Sequence, residues 1–258
     1  MRKYSEVTKE GRLTVITINR PEVMNALHPP ANVELSEAFD NFVSDPDQWV
    51  AIITGAGDKA FCAGNDLKYQ ASGGDMKGQP SSGFGGITSR FDNTKPIIAA
   101  VNGVAMGGGF EIALACDLIV AAENAVFSLP EPRVGLAALG GGIHRLPREI
   151  GIKKAMGMLL TGRRVSAQEG KDLGFVNEVS RKNSVLDTAK DWAGLILECA
   201  PLSVRASKEA AMLGMNASGI EEAIKSRYKQ VQLMQKSSDF VEGPRAFSEK
   251  RPPNWKGL

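Results

Sequence analysis

An α/β fold is the class this sequence predicts, and three observations carry it. Short apolar runs alternate with helix-spaced segments as far as about Ser180, a glycine cluster at Gly107, Gly108 and Gly109 opens a helix directly after one such run, and beyond Ser180 strand character is lost. The 258 residues, 43% hydrophobic and 23% charged, suit one large domain, or one domain with a small helical extension.

Residues 13–19 alternate branched apolar residues with threonine, as a strand does, and Arg20-Pro21 ends the run because proline cannot donate to a ladder. Leu35, Phe39, Phe42 and Val43 mark one apolar face of a helix, with Val33, Glu37 and Asp40 apart from it, before the Asp45-Pro46 break. Residues 50–54 form a short buried strand that stops at Gly55-Ala56-Gly57. The glycine-rich stretch 72–86 has no periodicity and reads as a mobile loop. Strands follow at 97–101, 118–121 and 126–129, with the glycine-led helix between the first two. Helices are expected at 186–199, 202–213 and 220–234, and a helix with a tail over 238–258.

The charges exclude some partners. Lysine and arginine total 31 against 29 acidic residues, and a formal +2 gives no electrostatic basis for nucleic acid or an anionic membrane. The longest apolar stretch, 96–127, is interrupted by Asn102, Glu111 and Asp117, so no membrane span is expected. Cys62, Cys116 and Cys199 are widely spaced and form no CxxC pair, so neither a disulfide framework nor a metal site is expected. The N-terminus lacks the apolar core of a signal peptide and carries Glu6 and Glu10, so the chain is expected to be cytoplasmic.

Two segments carry chemistry. Phe61-Cys62-Ala63-Gly64-Asn65-Asp66-Leu67-Lys68 runs from a strand end into a polar turn that can present backbone N–H groups, although such turns also simply reverse a chain. Residues 102–111 lead a strand through the glycine cluster into a helix whose free N–H groups and positive dipole end favour an anion or a developing oxyanion, with close helix packing as the alternative reason for the glycines. A dinucleotide site is disfavoured, because the cluster lies mid-chain and no ribose-binding acid is clearly placed after it. Glu111 falls in the first turn of that helix, and Glu131 is set between Pro130 and Pro132. Two carboxylates near one N–H cradle could divide acid and base work on one substrate. His144 reads as a helix-start or core side chain.

Together these motifs resemble the crotonase, or enoyl-CoA hydratase/isomerase, superfamily. AFCAGNDLK, the run from Lys95 to Glu131, GGGIHRLPREIG and LTGRRVSAQEGKDLGFVNEV match it in order and spacing over essentially the whole chain. The tail EGPRAFSEKRPPNWKG is similar to the branch containing carnitinyl-CoA dehydratases, and plain enoyl-CoA hydratases carry similar tails. The resemblance implies a spiral of ββα units over residues 1–195 and a helical trimerisation region over 196–258, with homotrimers that often pair into hexamers. It implies an acyl-CoA thioester substrate and no separate cofactor, coenzyme A being part of the substrate. By motif position the oxyanion hole falls on the N–H groups of Ala63 and Gly108, the coenzyme A mouth on Ala63, Gly64, Asn65, Asp66 and Lys68, and the two catalytic acids on Glu111 and Glu131. Glu111 would activate water for the β carbon, and Glu131 would handle the proton at the α carbon.

Departures from the family pattern are Ala138-Leu139 in place of a Pro-Gly turn, with the Leu139 N–H expected to help hold the water, and Leu129 in place of a polar residue. Enoyl-CoA hydration is the leading reading, with isomerisation or a carnitinyl-CoA dehydratase-type lyase within the same fold. A noncatalytic or RNA-binding crotonase-like protein is the reading from another class, and a serine hydrolase is disfavoured by the lack of a G-x-S-x-G context.

Overall fold

Strands that read as unbroken apolar runs become the centre of a parallel sheet, because only a sheet covered on both faces buries every residue of such a run. The computed structural model describes residues 2–258. Its larger sheet contains β1 (Ser5–Glu10), β2 (Leu13–Ile18), β3 (Val50–Gly55), β5 (Ile97–Val101), β7 (Leu118–Ala122) and β10 (Glu178–Ser180), in that spatial order, parallel except for the β1–β2 hairpin. A smaller sheet orders β4 (Ala60–Cys62), β6 (Val104–Met106), β8 (Val126–Ser128) and β9 (Val165–Ser166), with only β8–β9 antiparallel. Thus β3, β5 and β7 each lie in the larger sheet, and the strand after each crosses to the smaller one. This is the crotonase spiral that the resemblance implies.

The two-residue strand period divides the interior. Val50, Ile52, Ile98, Ala100, Val120 and Ala122 face helix α7 (Val185–Leu197) through Val185, Ala189 and Ala193. Alternate residues, among them Ile53, Ala99, Val101 and Ala121, face the main core with helices α1 (Pro29–Ser44) and α3 (Gly108–Ala115). Beneath α3, Phe110, Phe127 and Phe175 pack with ring centroids 5.0–5.2 Å apart, fixing the start of that helix over β8.

Several elements differ from the sequence reading. The fold opens with β1, not with β2; SEVTKE has no apolar periodicity because it is an exposed edge strand whose stability comes from pairing with β2. Short helix α2 (Leu67–Ala71) and helices α4 (Gly142–Ile150), α5 (Ile152–Thr161) and α6 (Ala167–Leu173) complete the core. The 72–86 segment is irregular until Phe84–Gly86, a 3₁₀ turn anchored by the Gly85 N–H donating to buried Asn32 Oδ1 at 2.7 Å. Helices α8 (Pro201–Gly214), α9 (Ile220–Lys225), α10 (Lys229–Gln235) and α11 (Ser238–Ser248) end the chain. The single helix expected over 220–234 is two, because Ser226 and Tyr228 are extended and the Tyr228 hydroxyl donates to the Ala223 carbonyl at 2.7 Å. Among the described residues no helix is long and apolar enough to cross a membrane.

The aromatic triad generates a stability prediction. Phe127 is fully buried, so Phe127→Ala should lower unfolding free energy by about 3–5 kcal/mol. Urea denaturation followed by circular dichroism checks this.

Candidate active site

Two loops meet where β4 and β6 end side by side. Strand β6 stops at Met106, Gly107 turns with φ +53°, and its N–H donates to the Ser128 carbonyl at 2.9 Å. Gly108 then begins α3, so its N–H has no carbonyl one turn earlier to bind. From the other side, Gly64 (φ +92°) brings the chain after β4 so close that a Cβ there would stand 2.7 Å from the Met106 carbonyl oxygen and 3.2 Å from the Gly108 nitrogen. Gly109 is tighter still: a Cβ would lie 1.9 Å from the Cys62 carbonyl oxygen. Close packing and exposed N–H groups are therefore two consequences of one glycine cluster.

The hydrogen bonds identify which N–H groups are free at this junction, and here the sequence reading needs correction. The Ala63 N–H is not free: it donates to the Met24 carbonyl at 3.0 Å. The Leu27 N–H donates to Gly64 at 2.8 Å and the Asp66 N–H donates to Leu27 at 2.9 Å, a parallel bridge centred on Leu27 and Asn65. In such a bridge the central residue of one chain turns its own N–H to the opposite side. For Asn65 that side is the one away from Leu27, where the neighbouring Gly64 lies against Met106 and Gly108, and its N–H has no hydrogen-bond partner among the described residues. The N–H groups left without a partner at this junction are thus those of Asn65 and Gly108, the Ala63 N–H being taken by Met24. Strand alternation alone would turn the N–H groups of Ala63 and Asn65, two residues apart, to the same side; the left-handed Gly64 between them breaks that alternation, and a glycine at that place was the signal available.

Glu111 and Glu131 flank the cradle. Glu111, 4% exposed on the first turn of α3, accepts a 2.8 Å hydrogen bond from the Gly142 N–H at the start of α4. A Cβ on Gly140 would stand 2.6 Å from Glu111 Oε2, so the bare backbone of 140–142 is what admits this carboxylate. Burial pushes Glu111 up to about 7; the Gly142 hydrogen bond opposes the shift and the charge of Glu131 adds to it. Glu131 follows β8 and opens a 3₁₀ turn, its Oε1 within 3.0 Å of where a Gly107 Cβ would be. Its Oε2 is buried without a protein partner, and burial raises its pKa too.

Other expected site residues divide. Leu139 is exposed, but its N–H donates to the Ala137 carbonyl at 2.8 Å, so it is not available to a water in this conformation. Asp66 does not line the mouth: it is 6% exposed, caps α2 through the Tyr69 N–H at 3.0 Å and pairs with Arg20. Lys68 is exposed on α2, and Gly64 is buried at the loop junction. His144 is exposed at the start of α4. Arg145, not singled out from sequence, donates to the Thr88 carbonyl at 3.0 Å and the Gly140 carbonyl at 3.4 Å, tying the loop after residue 86 to the segment that holds Glu111. Among the described residues no group of three or more His, Cys, Asp or Glu side chains is placed to hold a metal ion.

Comparison with known proteins extends these findings. A family model described as enoyl-CoA hydratase/isomerase matches residues 8–258. The chain is 43% identical to the carnitinyl-CoA dehydratase of Salmonella enteritidis PT4 over 264 residues, covering 100% of both chains. It superposes on the crystal structure of enoyl-CoA hydratase from Mycobacterium tuberculosis H37Rv with a TM-score of 0.91 and 38% identity, covering 99% of each chain. Against carnitinyl-CoA hydratase from Mycobacterium avium the TM-score is 0.79, with 39% identity and 100% coverage of both chains.

The raised pKa of Glu111 has a consequence for stability. A carboxyl whose folded pKa lies above its unfolded value binds more protons when folded, so its contribution is favourable at low pH and is lost as pH rises from about 4.5 to about 7. Glu111→Gln removes that cost. Its melting temperature should exceed that of the native protein by a few degrees at pH 8, and the gap should close toward pH 4, as read by calorimetry across that range.

Proposed function

The chain belongs to the enoyl-CoA hydratase/isomerase family, and on that premise we propose that it is a hydro-lyase that adds water reversibly, in the syn sense, to a 2-enoyl-CoA thioester. The observation that carries this reading is the pair of carboxylates, buried Glu111 and half-buried Glu131, both with raised pKa, beside unpartnered N–H groups. In this reading the Asn65 and Gly108 N–H groups receive the thioester carbonyl oxygen and stabilise it as an enolate oxygen forms. Glu111, fixed by Gly142, takes a proton from the water that attacks the β carbon. Glu131, whose Oε2 lacks a protein partner, delivers the proton to the α carbon. Atoms balance: hydroxide goes to the β carbon, a proton to the α carbon, and the reverse reaction expels water. In this reading Lys68, exposed on α2, meets the coenzyme A moiety, which enters as part of the substrate, and no further cofactor is used.

A carnitinyl-CoA dehydratase-type lyase is the second reading, favoured by the relatives of that name at 43% identity over the full length. It uses the same two acids, so a panel of enoyl-CoA and 3-hydroxyacyl-CoA substrates that includes carnitinyl-CoA separates the two. Isomerisation needs the α-carbon proton but no activated water, and is disfavoured by the presence of both carboxylates.

The chain is also proposed to assemble as a homotrimer, or a hexamer of two trimers, through residues 196–258. Support comes from uncovered apolar side chains on two sets of elements. Leu139 and Leu160 are exposed on the core, and Met215, Ile220 and Ile224 on the C-terminal helices. The unpaired cysteines, two of them held as neutral thiols by burial, suit a cytoplasmic, reducing setting.

Glu131→Gln should abolish both hydration and α-carbon proton exchange, whereas Glu111→Gln should abolish water addition and leave exchange into a saturated acyl-CoA detectable. Mass spectrometry in heavy water reads both, and full hydratase activity in either variant overturns the assignment. Because Glu111 must be ionised to accept a proton, hydration in the native protein should fall away below a pH of about 7. Sedimentation should give a trimer or hexamer; a stable, active monomer contradicts the assembly.

A further inference from the structure

The ion pair between Arg20 and Asp66 lies outside the reacting groups, yet it is among the most enclosed in the molecule, with side chains 10% and 8% exposed and Nη2 to Oδ2 at 3.0 Å. A buried pair is weak evidence for stability, because desolvating two charges offsets most of their attraction. Its position is more telling. Arg20 spans two segments at once: its Nη1 donates to the Ala26 carbonyl, and its Nη2 meets Asp66, the residue after Asn65. Those two segments are the ones joined by the bridge of Leu27 with Gly64 and Asp66.

The segment from Arg20 to Leu27 is itself strained. Met24 and Asn25 are both left-handed, with φ of +58° and +56°. Such a conformation in non-glycine residues persists only where the surroundings over-determine it. Here the Arg20 N–H donates to Asn25 Oδ1 at 2.9 Å, and the Asn25 amide donates to the Ala60 carbonyl at 2.7 Å. The result is a fixed Met24 carbonyl that occupies the Ala63 N–H, while the Asn65 N–H, beyond Gly64, points away from the 24–27 segment.

His28 is the other group beside this pair. It is buried between Tyr4 and Tyr69, with ring centroids at 4.7 and 5.0 Å, and its Nδ1 has no partner. Burial and the charge of Arg20 lower its pKa, which favours the neutral imidazole beside the pair. Burial pushes Asp66 upward, but the Tyr69 N–H and the Arg20 guanidinium more than offset this and keep it ionised.

We propose that the Arg20–Asp66 ion pair is the positioning device of the oxyanion hole, holding the Asn65 N–H at the distance and angle that the enolate oxygen requires. Arg20 and Asp66 touch no reacting atom; they act through the backbone of residues 24–27 and 63–66. The inference rests on the hydratase reading and concerns how one donor is held. Oxyanion donors work only when fixed before the reaction, and small misplacements far from the chemistry lower rates by orders of magnitude.

The test uses the full-length protein and butyryl-CoA labelled with ¹³C at the thioester carbonyl, a saturated ligand whose carbonyl stretch falls in frequency when it accepts hydrogen bonds. Asp66→Asn keeps an oxygen for the Tyr69 N–H and removes the charge that meets Arg20. Arg20→Lys keeps the charge, but one ammonium cannot reproduce a fork that reaches Ala26 and Asp66 together. Each variant should retain butyryl-CoA affinity within about threefold, lose part of the carbonyl shift, and lose about tenfold to a hundredfold in kcat for crotonyl-CoA hydration. Folded variants with the full shift and full kcat overturn the proposal. So does failure of both to fold, which would make the pair a support of the fold rather than of the donor. If the native protein leaves the carbonyl stretch where it is in free butyryl-CoA, the thioester reading falls, and the proposal with it.

Discussion

The close approach of the chain after β4 to the first turn of α3 is the constraint on which the site depends. Cys62 and Gly109 touch where no Cβ fits, and Gly64 lies against the Met106 carbonyl. That contact brings together the unpartnered N–H groups of Asn65 and Gly108 from segments more than forty residues apart in sequence. It is possible because β4 and β6 are parallel neighbours in the smaller sheet, so both loops leave at the same end. The larger sheet provides rigidity; the smaller one provides the meeting point.

The two carboxylates are placed by different means. Glu111 is carried by a helix and admitted by the side-chain-free stretch Gly140–Gly142, whose backbone gives it a single strong partner. Glu131 is carried by a proline-bounded turn at the end of β8 and has an oxygen with none. Both are costly to bury as anions, and neither is neutralised by an ion pair among the described residues. A structural role would not require that arrangement. Groups held ready to exchange a proton would: burial raises both carboxyls, Glu111 to about 7, which keeps both of its protonation states within reach near neutrality.

Sequence and structure agree most closely where burial alone decides. The runs that become β3, β5 and β7 are apolar at every position because both sheet faces are covered, so strand and limits are legible together. Edge strand β1 and the small strands β6 and β9 carry no such signature; they are strands because a neighbour lies beside them. The break between α9 and α10 is equally local in appearance and tertiary in cause, with Tyr228 reaching back to Ala223.

By itself, the sequence determined the α/β class, the spiral through its motif order, the family, and the segments that contain Glu111, Glu131 and Gly108. These follow from residue type, since apolar runs, helix-opening glycines and carboxylates in apolar surroundings keep their meaning wherever the chain goes. Only the tertiary structure decided which N–H groups are free. Ala63 and Asn65 are both small or polar residues of one turn, and what separates them is that Met24 occupies the first and faces away from the second. It also withdrew Asp66 from the surface and tied the Leu139 N–H to Ala137. Backbone donors carry no residue code; their availability depends on what the rest of the chain places opposite them, and that is settled only when distant segments pack.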